Sequence, residues 1–153
     1  MATAHDVSVR RATTSDVDAL LPLFLGYLAF YDAEHPPESA RGFLAERVES
    51  GDGIVFVAES GGRALGLAQV YPTFSSLGLQ RVWTLNDLFV DPEARGAGTG
   101  RALVRAVVAA AREAGARSVQ LSTAWDNVEA QALYEAEGLV REREFVTYSL
   151  SLA

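Results

Sequence analysis

Gly96, Gly98 and Gly100 alternate between two arginines, Arg95 and Arg101, with Ala97 and Thr99 in the gaps. The run Leu85–Val90 before them is strand-like and apolar; it stops at Asp91-Pro92, and an amphipathic helix follows the glycines directly. A helix N-terminus carries backbone N–H groups without intrahelical acceptors and the positive end of the macrodipole, so it attracts anions. Glycine lets that backbone approach a bulky anion, and the arginines can add charge-assisted hydrogen bonds. This chemistry suits a phosphate or pyrophosphate. A P-loop is excluded because the chain contains no lysine, and so is a kinase Gly-rich loop with its β3 lysine. A G-x-G-x-x-G dinucleotide fingerprint fails in both registers, ending on Arg101 from Gly96 and on Leu103 from Gly98.

A second chemical signal lies just upstream. Asp87 sits among Leu85, Leu88, Phe89 and Val90, where a carboxylate is expensive unless it is paired or used. It serves either as a general base or as a structural acceptor holding nearby backbone, and an ordered water chain is an alternative base.

These residues need a scaffold. Residues 7–12 alternate and read as a first strand. A helix over about 16–31, capped by Ser15 or Thr14, has Val17, Leu20, Leu21, Phe24, Leu25 and Leu28 on its apolar face. His35-Pro36-Pro37 breaks the chain, and a second helix spans about 39–48. Residues 54–59 and 64–71 are strands joined by Ser60-Gly61-Gly62-Arg63, 72–80 reads as a polar-aromatic loop, and 81–90 is the next strand. After the glycines, Leu103, Val104, Val107, Val108 and Ala111 form one helical stripe ending at Gly115. A short strand at 119–123, a helix at 127–137 and a closing strand at 145–150 complete the order β-α-α-β-β-β-α-β-α-β. The expected architecture is a mixed α/β sheet with helices on both faces.

Composition narrows the classes. The 153 residues are 49% hydrophobic and 22% charged, matching one globular domain that buries roughly 70% of its unfolded surface. The domain is expected to span residues 1–153. No apolar run approaches the roughly 20 residues of a membrane span, and residues 1–6 show neither the basic region nor the apolar core of a secretory leader. A cytoplasmic location is the expectation, with no membrane partner. The chain has no cysteine and only two histidines, His5 and His35, so no metal is expected. A net charge of −7 argues against nucleic acid as a partner.

Together these residues resemble the GNAT superfamily of N-acetyltransferases over nearly the whole chain. Arg95, Gly98 and Gly100 meet its acetyl-CoA signature, [Q/R]-x-x-G-x-[G/A], between a strand and a helix. Asn127-Val128-Glu129-Ala130-Gln131-Ala132-Leu133-Tyr134-Glu135-Ala136-Glu137-Gly138 is similar to its N-x-x-A-x-x-L-Y-x-x-x-G segment. The resemblance implies a central mixed sheet of about six to seven strands. It places the CoA pyrophosphate on the amides of Gly96, Ala97, Gly98, Thr99, Gly100 and Arg101, and the pantetheine arm along Leu88, Phe89 and Val90 beside a bulge. It implies that Asn127 binds a pantetheine amide, although an Asn here is equally natural as a helix cap. Residues 85–90 also look like the L-E-D-[FL]-[FY]-V of polyamine acetyltransferases, with Asn86 in place of their glutamate.

The implied chemistry follows from proton affinities. A primary alkylamine is neutral in about one part in a few thousand at pH 7, so attack on a thioester requires proton removal. The departing thiolate needs a proton, and the resemblance gives that donor role to Tyr134. Transfer is direct, with acetyl-CoA and a small-molecule amine bound together. The acceptor side is expected along the first two helices and the 72–80 loop, with Tyr27, Tyr31, Glu34, His35, Tyr71, Phe74, Trp83 and Asn86 as candidates; aromatic faces beside a carboxylate suit a cation. The alternatives are acetylation of a protein N-terminus or lysine, and a silent acyl-CoA-binding regulatory module. A homodimer is the expected assembly from the prevalence of two-fold oligomers.

Overall fold

The computed structural model describes residues 6–153. The reading that no leader precedes the fold rests on residues 1–6, of which 1–5 lie outside the described residues, as does His5. The chain packs as two units, Met1–Ser122 and Thr123–Ala153.

The first unit is built on one open sheet. Strands β1 (Ser8–Arg11), β2 (Ile54–Ser60), β3 (Arg63–Ser75), β4 (Gln80–Val90) and β5 (Ser118–Gln120) lie side by side in chain order. The first four pair antiparallel, while β5 joins β4 in parallel after a crossover. Helices α1 (Val17–Phe30) and α2 (Pro37–Ser50) precede β2, and α3 (Thr99–Glu113) is the crossover. Successive strand residues point to opposite faces, and the core follows that alternation. Val55, Val57 and Leu67 pack with Val17, Leu20, Leu23, Phe24, Ala40 and Leu44 of α1 and α2. On the other face, a Cβ at Gly66 would stand 3.1 Å from Leu103 and 3.4 Å from Thr99 of α3. Leu103, Val104, Val107 and Ala111 are buried there, the leucine and each valine worth about 1.5–3 kcal/mol of transfer free energy.

Helices therefore cover both faces as expected, but among the described residues the sheet has five strands, not six to seven. The strand expected at 145–150 does not form: residues 139–153 carry no helix or strand. Alternating apolar residues make a strand only when a neighbour completes the hydrogen-bond ladder, and Phe145, Val146, Tyr148 and Leu150 stand exposed. The loop expected at 72–80 shrinks to 76–79, because β3 runs through Pro72 to Ser75. β2 pairs with β3 only as far as Val70, so Pro72 lies where β3 has become an edge strand and its missing N–H is tolerated.

The second unit contains α4 (Val128–Ala136), closed by Gly138 at φ 91. Gln131 donates to the carbonyls of Ala124 and Trp125 and accepts from Arg141. Among the described residues no helix is long and apolar enough to cross a membrane, and no cluster of metal-ligating side chains occurs.

Candidate active site

Strand β4 organises the site. Its pairing with β3 slips once: Gln69 lies opposite Asp87 while Val70 lies opposite Leu85, so Asn86 is the extra residue of a bulge. On its other edge β4 meets β5 only from Val82 to Thr84. From Leu85 to Val90 no strand among the described residues pairs with that edge, so it offers backbone donors and acceptors to an extended ligand.

Asp87 is only 3% exposed. It faces α1, which approaches β4 closely because Gly26 has no side chain; a Cβ there would meet the Phe89 ring at 2.8 Å. The next residue, Tyr27, is thereby brought over the bulge. Asn86 Nδ2 donates to Asp87 Oδ1 at 2.7 Å. The Tyr27 hydroxyl lies 3.3 Å from the Asn86 carbonyl and also reaches the Asp87 carboxylate. With one hydrogen it serves one acceptor at a time, and the carboxylate is the stronger. Burial raises the Asp87 pKa above the usual aspartate value, and the hydrogen bonds from Asn86 and Tyr27 only partly oppose this. Tyr27 is raised as well, first by burial and then by the Asp87 charge. The same two causes raise Tyr71.

At the far end of β4 the chain turns through Asp91, whose carboxylate accepts from the Glu93 N–H at 3.0 Å and from Arg63 at 2.9 Å. Gly96 and Gly98 follow with φ of 83° and 84°, the left-handed region that other residues avoid. Gly98 is the N-cap of α3 and no side chain caps it. The first helical bond runs from Ala102 to the Gly98 carbonyl, so the N–H groups of Thr99 and Gly100 precede the ladder. Thr99 is buried, and its Oγ1 has no hydrogen-bond partner. The N–H groups ahead of the ladder at this uncapped helix end fit a bound pyrophosphate. Arg95 behaves differently from its neighbours: its Nε donates to the Val90 carbonyl at 3.1 Å and its guanidinium covers the Phe89 ring at 5.3 Å.

The other sequence candidates divide. Tyr31 packs edge-on against Tyr27 at 5.2 Å between centroids, and the Tyr71 hydroxyl meets Gln69, so both border the Asp87 cluster. Glu34 is exposed in the turn after α1, and His35 beside it is also exposed. Phe74 is 73% exposed near the hairpin end beneath Arg81, whereas Trp83 is buried. None of these four joins the cluster. Asn127 caps α4, its Oδ1 accepting from the Ala130 N–H at 3.2 Å; this leaves the Nδ2 end with donors to offer. Tyr134 lies on α4. Gln69 is not among the sequence candidates, although an amide inside the apolar run Leu65–Val70 is the same kind of signal as Asp87.

An opened strand edge, a bulge with a buried carboxylate, and a glycine turn into an uncapped helix thus follow one another along β4 and the turn that leaves it. The family model for the acetyltransferase (GNAT) family matches residues 19–139. The chain belongs to that family. It is 39% identical over 146 residues to an uncharacterised N-acetyltransferase of Bacillus subtilis (strain 168), covering 95% of this chain and 98% of that one. An aminoglycoside N(6')-acetyltransferase type 1 of Stenotrophomonas maltophilia is 32% identical, covering 92% of this chain and 90% of the relative. A crystal structure of a probable acetyltransferase superposes with a TM-score of 0.89 at 38% identity, over 95% of this chain and 98% of the other. This GNAT protein is an acetyltransferase of a family that uses acetyl-CoA.

Proposed function

We propose that residues 1–153 form one N-acetyltransferase domain that moves an acetyl group directly from acetyl-CoA to the primary amine of a small molecule, with Asp87 as general base. The observation that carries this reading is the buried Asp87 at the β4 bulge, on the strand whose Leu85–Val90 edge is open and which leads into the glycine turn of α3.

Acetyl-CoA supplies the activated thioester. The N–H groups of Gly96 to Arg101 receive its pyrophosphate, aided by the helix dipole, and the edge from Leu88 to Val90 receives the pantetheine amides. The acceptor nitrogen forms its new bond to the acetyl carbon as the carbon–sulfur bond breaks. Asp87 takes the amine proton, and burial helps by raising its proton affinity toward the working range. Backbone N–H groups beside the bulge meet the charge developing on the carbonyl oxygen. Following the family resemblance, Tyr134 returns a proton to the sulfur and Asn127 contributes its Nδ2 to the pantetheine.

The acceptor class follows from the surroundings of Asp87. Tyr27 and Tyr31 present ring faces beside a carboxylate, which suits a cationic amine, and an aminoglycoside acetyltransferase is among the relatives. Thiol release from acetyl-CoA, measured against polyamines, amino acids, aminoglycosides and short peptides, tests the proposal. Turnover confined to one class of small amine is the expected result. Turnover on peptides alone, or CoA binding without turnover on any member, contradicts it.

A further inference from the structure

Only three polar or charged residues are buried among the described residues: Gln69, Asp87 and Thr99. Two of them, Gln69 and Asp87, are direct partners across the β3–β4 ladder. Opposed side chains in such a pair share a face, with Cβ atoms about 4.5–5.5 Å apart. Gln69 is fully buried. Its Nε2 lies against the Tyr71 hydroxyl, and its Oε1 has no hydrogen-bond partner.

A buried amide carbonyl without a donor is costly, and native interiors rarely keep one. A half-turn of the amide exchanges oxygen and nitrogen without moving anything else. Oε1 then accepts the Tyr71 O–H, and Nε2 takes the position where an acceptor was stranded. The group opposite on the same face is the Asp87 carboxylate, an acceptor with lone pairs beyond those used by Asn86 and Tyr27. Turned this way, Oε1 gains the Tyr71 donor and Nε2 is left on the strand face it shares with the Asp87 carboxylate.

We propose that Gln69 is a positioning residue that accepts from the Tyr71 hydroxyl at Oε1 and donates from Nε2 to the Asp87 carboxylate. This rests on the reading of Asp87 as the base. Gln69 acts on the reaction through Asp87 alone, fixing its rotamer and favouring its ionised form against burial. The titratable groups facing the carboxylate are Tyr27 and Tyr71, with Tyr31 behind Tyr27. Arg47 and Asp52 stand beyond them, toward Tyr71. No cation contacts Asp87 among the described groups that set its proton affinity, so its donors are neutral and each one counts.

Gln69→Leu keeps the volume and removes both hydrogen bonds. The readout is the titration midpoint of the Asp87 carboxyl by 13C NMR on the full chain, together with the acid limb of kcat/KM. Loss of a neutral donor to the ionised form moves the midpoint up by about 0.5–1 pH unit, and the acid limb moves with it. A folded Gln69→Leu with the wild-type midpoint overturns the proposal. If that variant does not unfold cooperatively, Tyr71→Phe replaces it: Gln69 loses the hydroxyl that fixes it, and the midpoint rises by a smaller amount. An unmoved midpoint in Tyr71→Phe then overturns the proposal. Asp87→Asn separates the two readings. Wild-type turnover in Asp87→Asn removes the base and leaves the coupling to stand on the NMR midpoint. An inactive Asp87→Asn beside an unmoved Gln69→Leu midpoint retains the base and removes the coupling.

Discussion

The two ends of the open β4 edge solve opposite electrostatic problems. At the bulge, a carboxylate is buried under Tyr27 and beside Gln69, and its charge is opposed by desolvation and relieved only by neutral donors. At the glycine turn no charged group is buried; backbone N–H groups at the start of α3 are left uncapped, with a buried threonine hydroxyl unmet beneath them. The first end is made of side chains and holds a proton-accepting group in an unfavourable place. The second is made of backbone and presents donors that no side chain caps. A reactive group gains from destabilisation of its resting charge, whereas a binding site gains from donors that are already oriented.

The contrast can be broken from either end. The largest effect is expected at the turn: Gly98→Val puts a β-branched residue at φ 84° and a side chain into the proposed pyrophosphate site. CoA affinity by calorimetry should fall by about a hundredfold or more, while thermal unfolding remains cooperative. Wild-type affinity would remove the turn from the site. Next in size is Tyr134→Phe, which on the proposed donor role cuts turnover at least about tenfold and leaves CoA affinity intact. Unchanged turnover would end that assignment.

The smallest effect concerns stability. A carboxyl whose folded pKa is raised favours the fold while protonated, and that contribution is lost as pH rises through the folded value. Asp87→Asn should therefore melt no lower than the wild type at pH 7. Its advantage should grow from about pH 4 upward and level off once the wild-type Asp87 has ionised. A variant that melts lower than the wild type across this range would show that the charge is well accommodated.

Much of this contrast is legible in the residues themselves. The α3 stripe and the glycine turn announce themselves by period and by residue type. Asp87 is conspicuous because a carboxylate interrupts an apolar run. Gln69 carries the same signal more weakly, since an amide in a strand is cheaper than a charge and draws less notice. The bulge is different: a slip at Asn86 depends on two strands together and has no local mark, so it entered only through the family resemblance. The extension of β3 through Pro72 was hidden for a related reason. Proline is tolerated there because β2 has already ended at that level of the sheet, which is a tertiary fact. The segment 145–150 errs in the other direction. Its alternation satisfies the pattern of a half-buried strand, but a pattern cannot supply the partner that a ladder requires.

The most direct test of the account is Asp87→Asn assayed at saturating acetyl-CoA with a competent amine, with CoA affinity measured on the same preparation. The predicted result is turnover lowered by about a hundredfold or more with CoA affinity unchanged, separating the chemistry at the bulge from the binding at the turn. Wild-type turnover in that variant would contradict the account, and so would a parallel loss of CoA affinity.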